Sequence, residues 1–261
     1  MTFPETPRVI YAQNPLVEVI CQLRFPPILR IETELPAAFQ EEIRKDYPLT
    51  QVEEAARIPL PPPFAKMLEQ SPQGFMQART YQFHSEDSQW TLGMSRDFLA
   101  LSTTHYTRWE EFSSKLKMAA EAFIATYAPA FFTRVGLRYR DVIKKSAEAL
   151  SGLDWPQILR QEILGELGSP ELAKFIQHAA REVVISLNDT RGQVRILHGL
   201  IREAGDTAFS YSIDSDFACE ERTELNDAFG LLDGYNREAG RLFRWFTTPA
   251  LHERLGPTKL P

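Results

Sequence analysis

Cysteine is scarce in this chain of 261 residues, which holds only Cys21 and Cys219. A secreted disulfide framework uses more, so a reducing compartment is expected. Neither cysteine has a histidine or second cysteine near it in sequence, so neither reads as a metal ligand or an activated thiol. The five histidines, His84, His105, His178, His198 and His252, form no His-x-x-x-His pair. Also missing are a Gly-x-Gly-x-x-Gly turn, a phosphate-binding loop and a Gly-x-Ser-x-Gly elbow. These absences exclude the commonest motif-bearing enzymes but leave open a site assembled from distant positions. No run approaches the ~18 apolar residues of a membrane span. Residues 1–15 hold three prolines and no apolar signal-peptide stretch. The expectation is a cytoplasmic protein with no membrane partner. An excess of positive charge is missing too. The 29 Lys and Arg stand against 35 Asp and Glu, for a net charge of −6, which argues against bulk attraction to nucleic acid.

What is present is alternation. Val17, Val19, Cys21, Leu23 and Phe25 share one parity, and Glu18, Gln22 and Arg24 the other. Period two with one apolar face predicts a strand covered on one side, ended by Pro26-Pro27. A helix is expected over about Glu34 to Asp46, with Leu35, Phe39 and Ile43 as its seam. Residues 48–78 carry Pro59, Pro61, Pro62, Pro63 and Pro72 and read as a proline-rich excursion without regular structure. Three short strands follow: Arg79 to Ser85, Gln89 to Ser95 and Phe98 to Thr104. Their tight connections make an antiparallel meander. From Thr107, a three-four rhythm of Trp109, Phe112, Leu116, Ala120, Phe123 and Tyr127 predicts a long amphipathic helix.

The pattern then restarts. Gly136-Leu137-Arg138-Tyr139 echoes Gln22-Leu23-Arg24-Phe25. In the second run Val135, Leu137 and Tyr139 point inward and Arg134, Arg138 and Arg140 outward. Helices are expected near Trp155 to Leu167 and Glu171 to Ala180. Strands are expected at Glu182 to Asn188, Gln193 to Leu200 and Ala208 to Ser215. A last long helix spans about Glu221 to Phe246, with Gly230, Gly234 and Gly240 marking close packing or a bend. The fold class is therefore α+β: an antiparallel sheet with long helices on one face and a possible tandem β-α-β-β-β-α duplication. The chain reads as one compact domain of two pseudo-equivalent halves, 16–128 and 131–256. By analogy alone the nearest architecture is a TATA-binding-like saddle.

Three stretches resemble signatures of a sporadically distributed family of uncharacterised bacterial proteins. They are Asn14 to Val19 followed by Cys21 to Pro27, Arg134 to Tyr139 with Ile213-Asp214-Ser215-Asp216, and the tail Leu251 to Pro257. The resemblance spans nearly the whole chain. It implies no known activity, cofactor or catalytic residue.

The sequence offers three places for chemistry. The Asp214-Ser215-Asp216 cluster with Glu220 and Glu221 reads as the capped, acid-rich start of a helix rather than a cation site, and no metal or cofactor is expected. The tail arginines Arg241, Arg244 and Arg254 read as surface, beside the core aromatics Trp245 and Phe246. The outward strand faces are the stronger candidate for binding. They gather Arg24, Arg134, Arg138, Arg140, Arg195 and His84, and guanidinium forks suit carboxylates and phosphates. The first expectation is a non-enzymatic binding or interaction module that uses this polar face or the proline-rich arm, with a protein partner or self-association. The alternative is an enzyme or small-molecule binder with an arginine-lined anion pocket between sheet and helices. The third is a nucleic-acid binder on the open sheet face, against which the acidity counts.

Overall fold

The computed structural model describes residues 2–54, 79–150, 152–202 and 208–259. Its frame is a nine-stranded antiparallel sheet. The strands, numbered with a short terminal pair, are β1 (Val9–Tyr11), β2 (Leu16–Arg24), β3 (Leu49–Glu54), β4 (Arg79–His84), β5 (Trp90–Ser95), β6 (Phe98–Thr103), β7 (Arg134–Lys144), β8 (Ala180–Ser186), β9 (Gln193–Ile201), β10 (Ser210–Cys219) and β11 (Pro257–Lys259). The helices are α1 (Arg30–Thr33), α2 (Ala37–Ile43), α3 (Trp109–Tyr127), α4 (Trp155–Ile158), α5 (Gln161–Leu164), α6 (Ala228–Phe246) and α7 (Pro249–Arg254).

The sheet runs β3-β4-β5-β6-β2-β7-β10-β9-β8. Read outward from the central β2–β7 pair, each side places its last strand first: β6, β5, β4 on one flank and β10, β9, β8 on the other. In the centre Gln22 lies directly opposite Gly136, and Arg24 opposite Arg134. A separate two-stranded sheet ties the ends of the chain, with Val9 opposite Lys259.

Both long helices lie on one face. The alternation puts Val19, Cys21 and Leu23 of β2 and Val135, Leu137 and Tyr139 of β7 into a single core with Phe112, Leu116 and Phe123 of α3 and Leu232, Tyr235 and Phe246 of α6. The three-four spacing of those helical residues forms a stripe that covers the sheet. Ala128, left-handed at φ 45°, ends α3 just before Pro129.

Several expectations need correcting. Of the helix expected over 34–46 only Ala37–Ile43 is helical, because Pro36 interrupts the backbone ladder, and Leu35, expected in its seam, lies before it 75 % exposed. Residues 49–54, placed in the proline-rich excursion, form edge strand β3 against β4. The remainder, 55–78, lies outside the described residues. The helix near Trp155 to Leu167 is broken at Leu159, whose extended backbone bridges Thr247. Glu171 to Ala180 holds only a short 3₁₀ turn. Strand β10 continues to Cys219, so Asp214, Ser215 and Asp216 are mid-strand and not a helix start.

Of the three glycines in α6, only Gly234 is a packing requirement. A Cβ there would stand 3.1 Å from Thr190 Oγ1 in the β8–β9 turn, whereas at Gly230 it would meet nothing. Gly230→Ala is therefore expected to raise stability by about 1 kcal/mol, the helix-propensity difference. Urea denaturation should show the midpoint rising with an unchanged slope.

Candidate functional site

The outward residues expected to bind do share one face, opposite the helices, but they do not converge. His84 on β4 and Arg195 on β9 are six strands apart, about 29 Å at ~4.8 Å per strand. His84 is held within its hairpin by Thr91, Nδ1 to Oγ1 3.0 Å. The arginines cluster at the centre, where the chain supplies its own anions. Arg134 Nη2 donates to both oxygens of Asp216 at 2.8 Å, and its Nη1 to Gln22 at 3.2 Å. Arg138 makes a two-pronged bond to Asp214, at 2.7 and 2.5 Å. Arg195 Nε donates to Glu182 at 2.7 Å. Arg24 is exposed and donates to Gln22, and exposed Arg140 lies opposite Glu18 in register. A guanidinium already engaged by a carboxylate has few donors left for a ligand. Asp214 lies in the strand expected over 208–215, and Asp216, expected at a helix start, continues it. The period-two run Tyr211, Ile213, Ser215, Phe217, Cys219 was the signal that the strand continued.

The other face of the same strands holds a pocket. Its walls are the N-terminal stretch from Thr6 to Leu16, the turn Tyr106 to Trp109 at the head of α3, Tyr139 and Asp141 of β7, Ser215 of β10, and α6 from Asn236 to Arg244. Its volume is about 190 Å³. Five arginines line it (Arg8, Arg108, Arg237, Arg241 and Arg244) against one acid, Asp141. Two are neutralised from outside: Arg8 by Glu110 at 2.8 Å, and Arg241 by buried Glu238 at 2.5 Å and by Glu5 at 3.5 Å. Among the described residues Arg108, Arg237 and Arg244 make no salt bridge, though the charge of Arg108 is felt by Glu110. In Arg244 the Nη1 atom is buried without a hydrogen-bond partner. Arg241 and Arg244 therefore do not sit as surface residues. They turn inward along the pocket edge of α6.

Asp141 is the second unusual group. It follows Val135, Leu137 and Tyr139 on the inward parity of β7 and is 7 % exposed. Among the described residues no donor reaches its carboxylate. Burial, reinforced by the charge of Asp214, pushes its pKa up to about 8. The sequence carried this signal, since the alternation that places Tyr139 inward places Asp141 inward as well.

Tyrosines surround these groups. Tyr139 donates to Asn236 Oδ1 at 2.9 Å and meets the Tyr106 ring edge-on, 6.0 Å between centroids. The Tyr11 hydroxyl lies 2.9 Å from His252 Nδ1 and beside the Arg244 guanidinium. Burial raises the pKa of all three phenols and lowers that of His252. The pocket thus presents unpaired positive charge, a neutral carboxylic acid at pH 7 and aromatic walls.

Among the described residues no cluster of three or more His, Cys, Asp or Glu is placed to hold a metal ion, and no helix is long and apolar enough to cross a membrane. In comparisons with known proteins, the chain matches no family model and no curated protein.

Proposed function

We propose that this protein is a non-enzymatic binding module that holds a small anion between its sheet and its long helices. The observation that carries the reading is the buried, unpartnered Nη1 of Arg244 at the edge of a pocket whose arginines outnumber its acids five to one. A buried donor left unpaired costs about 1–3 kcal/mol, more when charged, and a turn of the guanidinium toward an anion in the pocket would recover that cost. The open sheet face supports this choice by contrast, because three of its five arginines, Arg134, Arg138 and Arg195, are paired with Asp216, Asp214 and Glu182. Those alternating charges also leave no continuous positive stripe for nucleic acid.

The test is a thermal-shift panel of small carboxylates and phosphates. A ligand at 100 times its Kd stabilises by about 2.7 kcal/mol. Arg244→Gln is expected to abolish the shift. A shift that survives that change would place the anion elsewhere and overturn the reading.

The symmetric strand order supports a further part of the proposal, that the chain is a duplicated unit. A two-fold axis through the Gln22–Gly136 pair would exchange β2 with β7 and Arg24 with Arg138, the residues of the repeated sequence echo.

Self-association is a second reading, favoured by one edge of the sheet. Strand β8 has no partner on its outer side among the described residues, and it carries Val184 at 53 % exposure beside Leu197 of β9 at 47 %. Unprotected edges with apolar side chains invite strand addition. Size-exclusion chromatography with light scattering is expected to show a dimer that Val184→Lys dissociates.

A further inference from the structure

The geometry points to a carboxylate on a single aromatic ring as the ligand class of this pocket, with the carboxylate between Arg244 and Asp141 and the ring against Tyr11, Tyr139 and Trp109. This deepens the small-anion reading and rests on it.

Size is the first argument. A dry cavity of about 150 Å³ accepts benzene, and this pocket measures about 190 Å³. The difference is on the scale of one small substituent, since a water takes up about 30 Å³ in the liquid. A larger ligand would have to extend through the open side.

The walls are the second argument. Tyr11, Tyr106, Trp109, Tyr139 and Phe243 all border the space. Several are fixed in edge-on pairs, Tyr106 with Tyr139 and Tyr11 with Phe243 at 5.7 Å. Hydrogen bonds fix two of the rims as well, Tyr139 to Asn236 and Trp109 Nε1 to Asp233 at 2.6 Å. Rings held in this way present apolar edges and faces to a planar guest, and aromatic pairs gain from offset and edge-on contact beyond area alone. A compact, fully hydrated anion such as phosphate would leave these walls unused.

Donor chemistry is the third. A carboxylate has two oxygens, each needing donors. Arg244 Nη1 offers one N–H without competition. Asp141, neutral, offers its O–H. A carboxylic acid kept neutral by an apolar site so that it can donate is an established device for binding oxyanions. An ammonium ligand would instead need Asp141 ionised, and it would face the unpaired arginines.

Binding should therefore require the protonated acid. The titratable groups that act on Asp141 are Tyr11 from β1, Tyr139 from its own strand and Asp214 across the sheet, while Tyr106 and Arg244 line the same pocket and His252 lies behind Tyr11. Burial raises the pKa of the three phenols and lowers that of His252. Asp141 is then the group that changes charge between pH 7 and 9.

The experiment is calorimetric titration of the full chain with benzoate, acetate, inorganic phosphate and benzylamine. Benzoate is expected to bind at least about tenfold tighter than acetate or phosphate, and about tenfold more weakly at pH 9 than at pH 7. Arg244→Gln should weaken benzoate at least tenfold. Should that variant melt early, Arg244→Lys tests the same site, losing the planar fork while keeping the charge. In Asp141→Asn the fall between pH 7 and 9 should vanish. Equal binding of benzoate and acetate overturns the aromatic class and leaves the anion reading standing. Binding of benzylamine in place of benzoate overturns both, as does the absence of heat from all four at millimolar concentration.

Discussion

Asp141→Asn is expected to raise the melting temperature of the protein at neutral pH by roughly 10 °C, and to change it little at pH 4. The sign follows from linkage. The carboxyl titrates near 3.8 when unfolded and near 8 when folded. A group whose folded pKa is raised contributes stability that is fully present below the unfolded value and is lost as pH rises toward the folded one. Between pH 4 and 8 the unfolded chain gains a charge at this position that the folded chain refuses. At pH 7 the loss is roughly 4 kcal/mol, taking 1.36 kcal/mol per pKa unit, and a domain near this size moves by ~2–4 °C per kcal/mol. Asparagine has nearly the same shape and no proton to lose, so it escapes the penalty. Calorimetric scans of both proteins at pH 4, 6 and 8 should diverge steadily. A gap independent of pH would mean that Asp141 is ionised and satisfied in the fold. A carboxyl kept at such cost, in a pocket and without a structural partner, supports the proposed binding site.

The legible part of this fold was the part written in period. Strand β2, the β4–β5–β6 meander, α3 and most of β7 follow from alternation or three-four spacing alone, because each buries one face. The inward and outward parities of Arg24 and Arg138 were readable for the same reason. The illegible part was set by contacts distant in sequence. Nothing local to Leu159 reveals that it will bridge Thr247 and cut a helix in two. Nothing local to Arg138 names Asp214 as its partner, since only the β7–β10 register brings them together.

The candidate site divides along the same line. Period two places Asp141 on the apolar face of β7, where its polarity alone would suggest exposure. Arg244 belongs to a helix whose moment is read from its apolar residues. Whether a flanking arginine meets solvent or a pocket depends on the N-terminal stretch, 230 residues away in sequence, that folds over it. A polar residue on the parity of a core is thus a stronger functional signal than an arginine on the parity of the surface.

Gly192→Ala is expected to be the most damaging small substitution in the described structure, at about 4 kcal/mol. The residue closes the β8–β9 turn that Asp189-Thr190-Arg191-Gly192 announces in the sequence. Leu187 N–H donates to its carbonyl at 3.0 Å. Its φ is +101°, a conformation L residues rarely adopt, and a Cβ built there would stand 2.2 Å from the backbone oxygen of Ala218 and 2.8 Å from the Tyr235 hydroxyl. Backbone strain of this kind costs of order 1–3 kcal/mol, and overpacking against a fixed neighbour adds a similar amount. The carbonyl of Ala218 cannot swing aside, because it belongs to β10 at the point where Gln193 pairs with it. Tyr235 cannot either, since it is fully buried in α6 and its hydroxyl donates to Arg191 O at 2.8 Å. The turn therefore locks the sheet to the long helix, and the methyl group strikes that lock from both sides. Chemical denaturation should show a lower midpoint with the slope retained. Tyr235→Phe in the same background provides the control. If it recovers no stability, the loss comes from backbone strain and the Ala218 contact alone. If it recovers part, the hydroxyl contact accounts for that share.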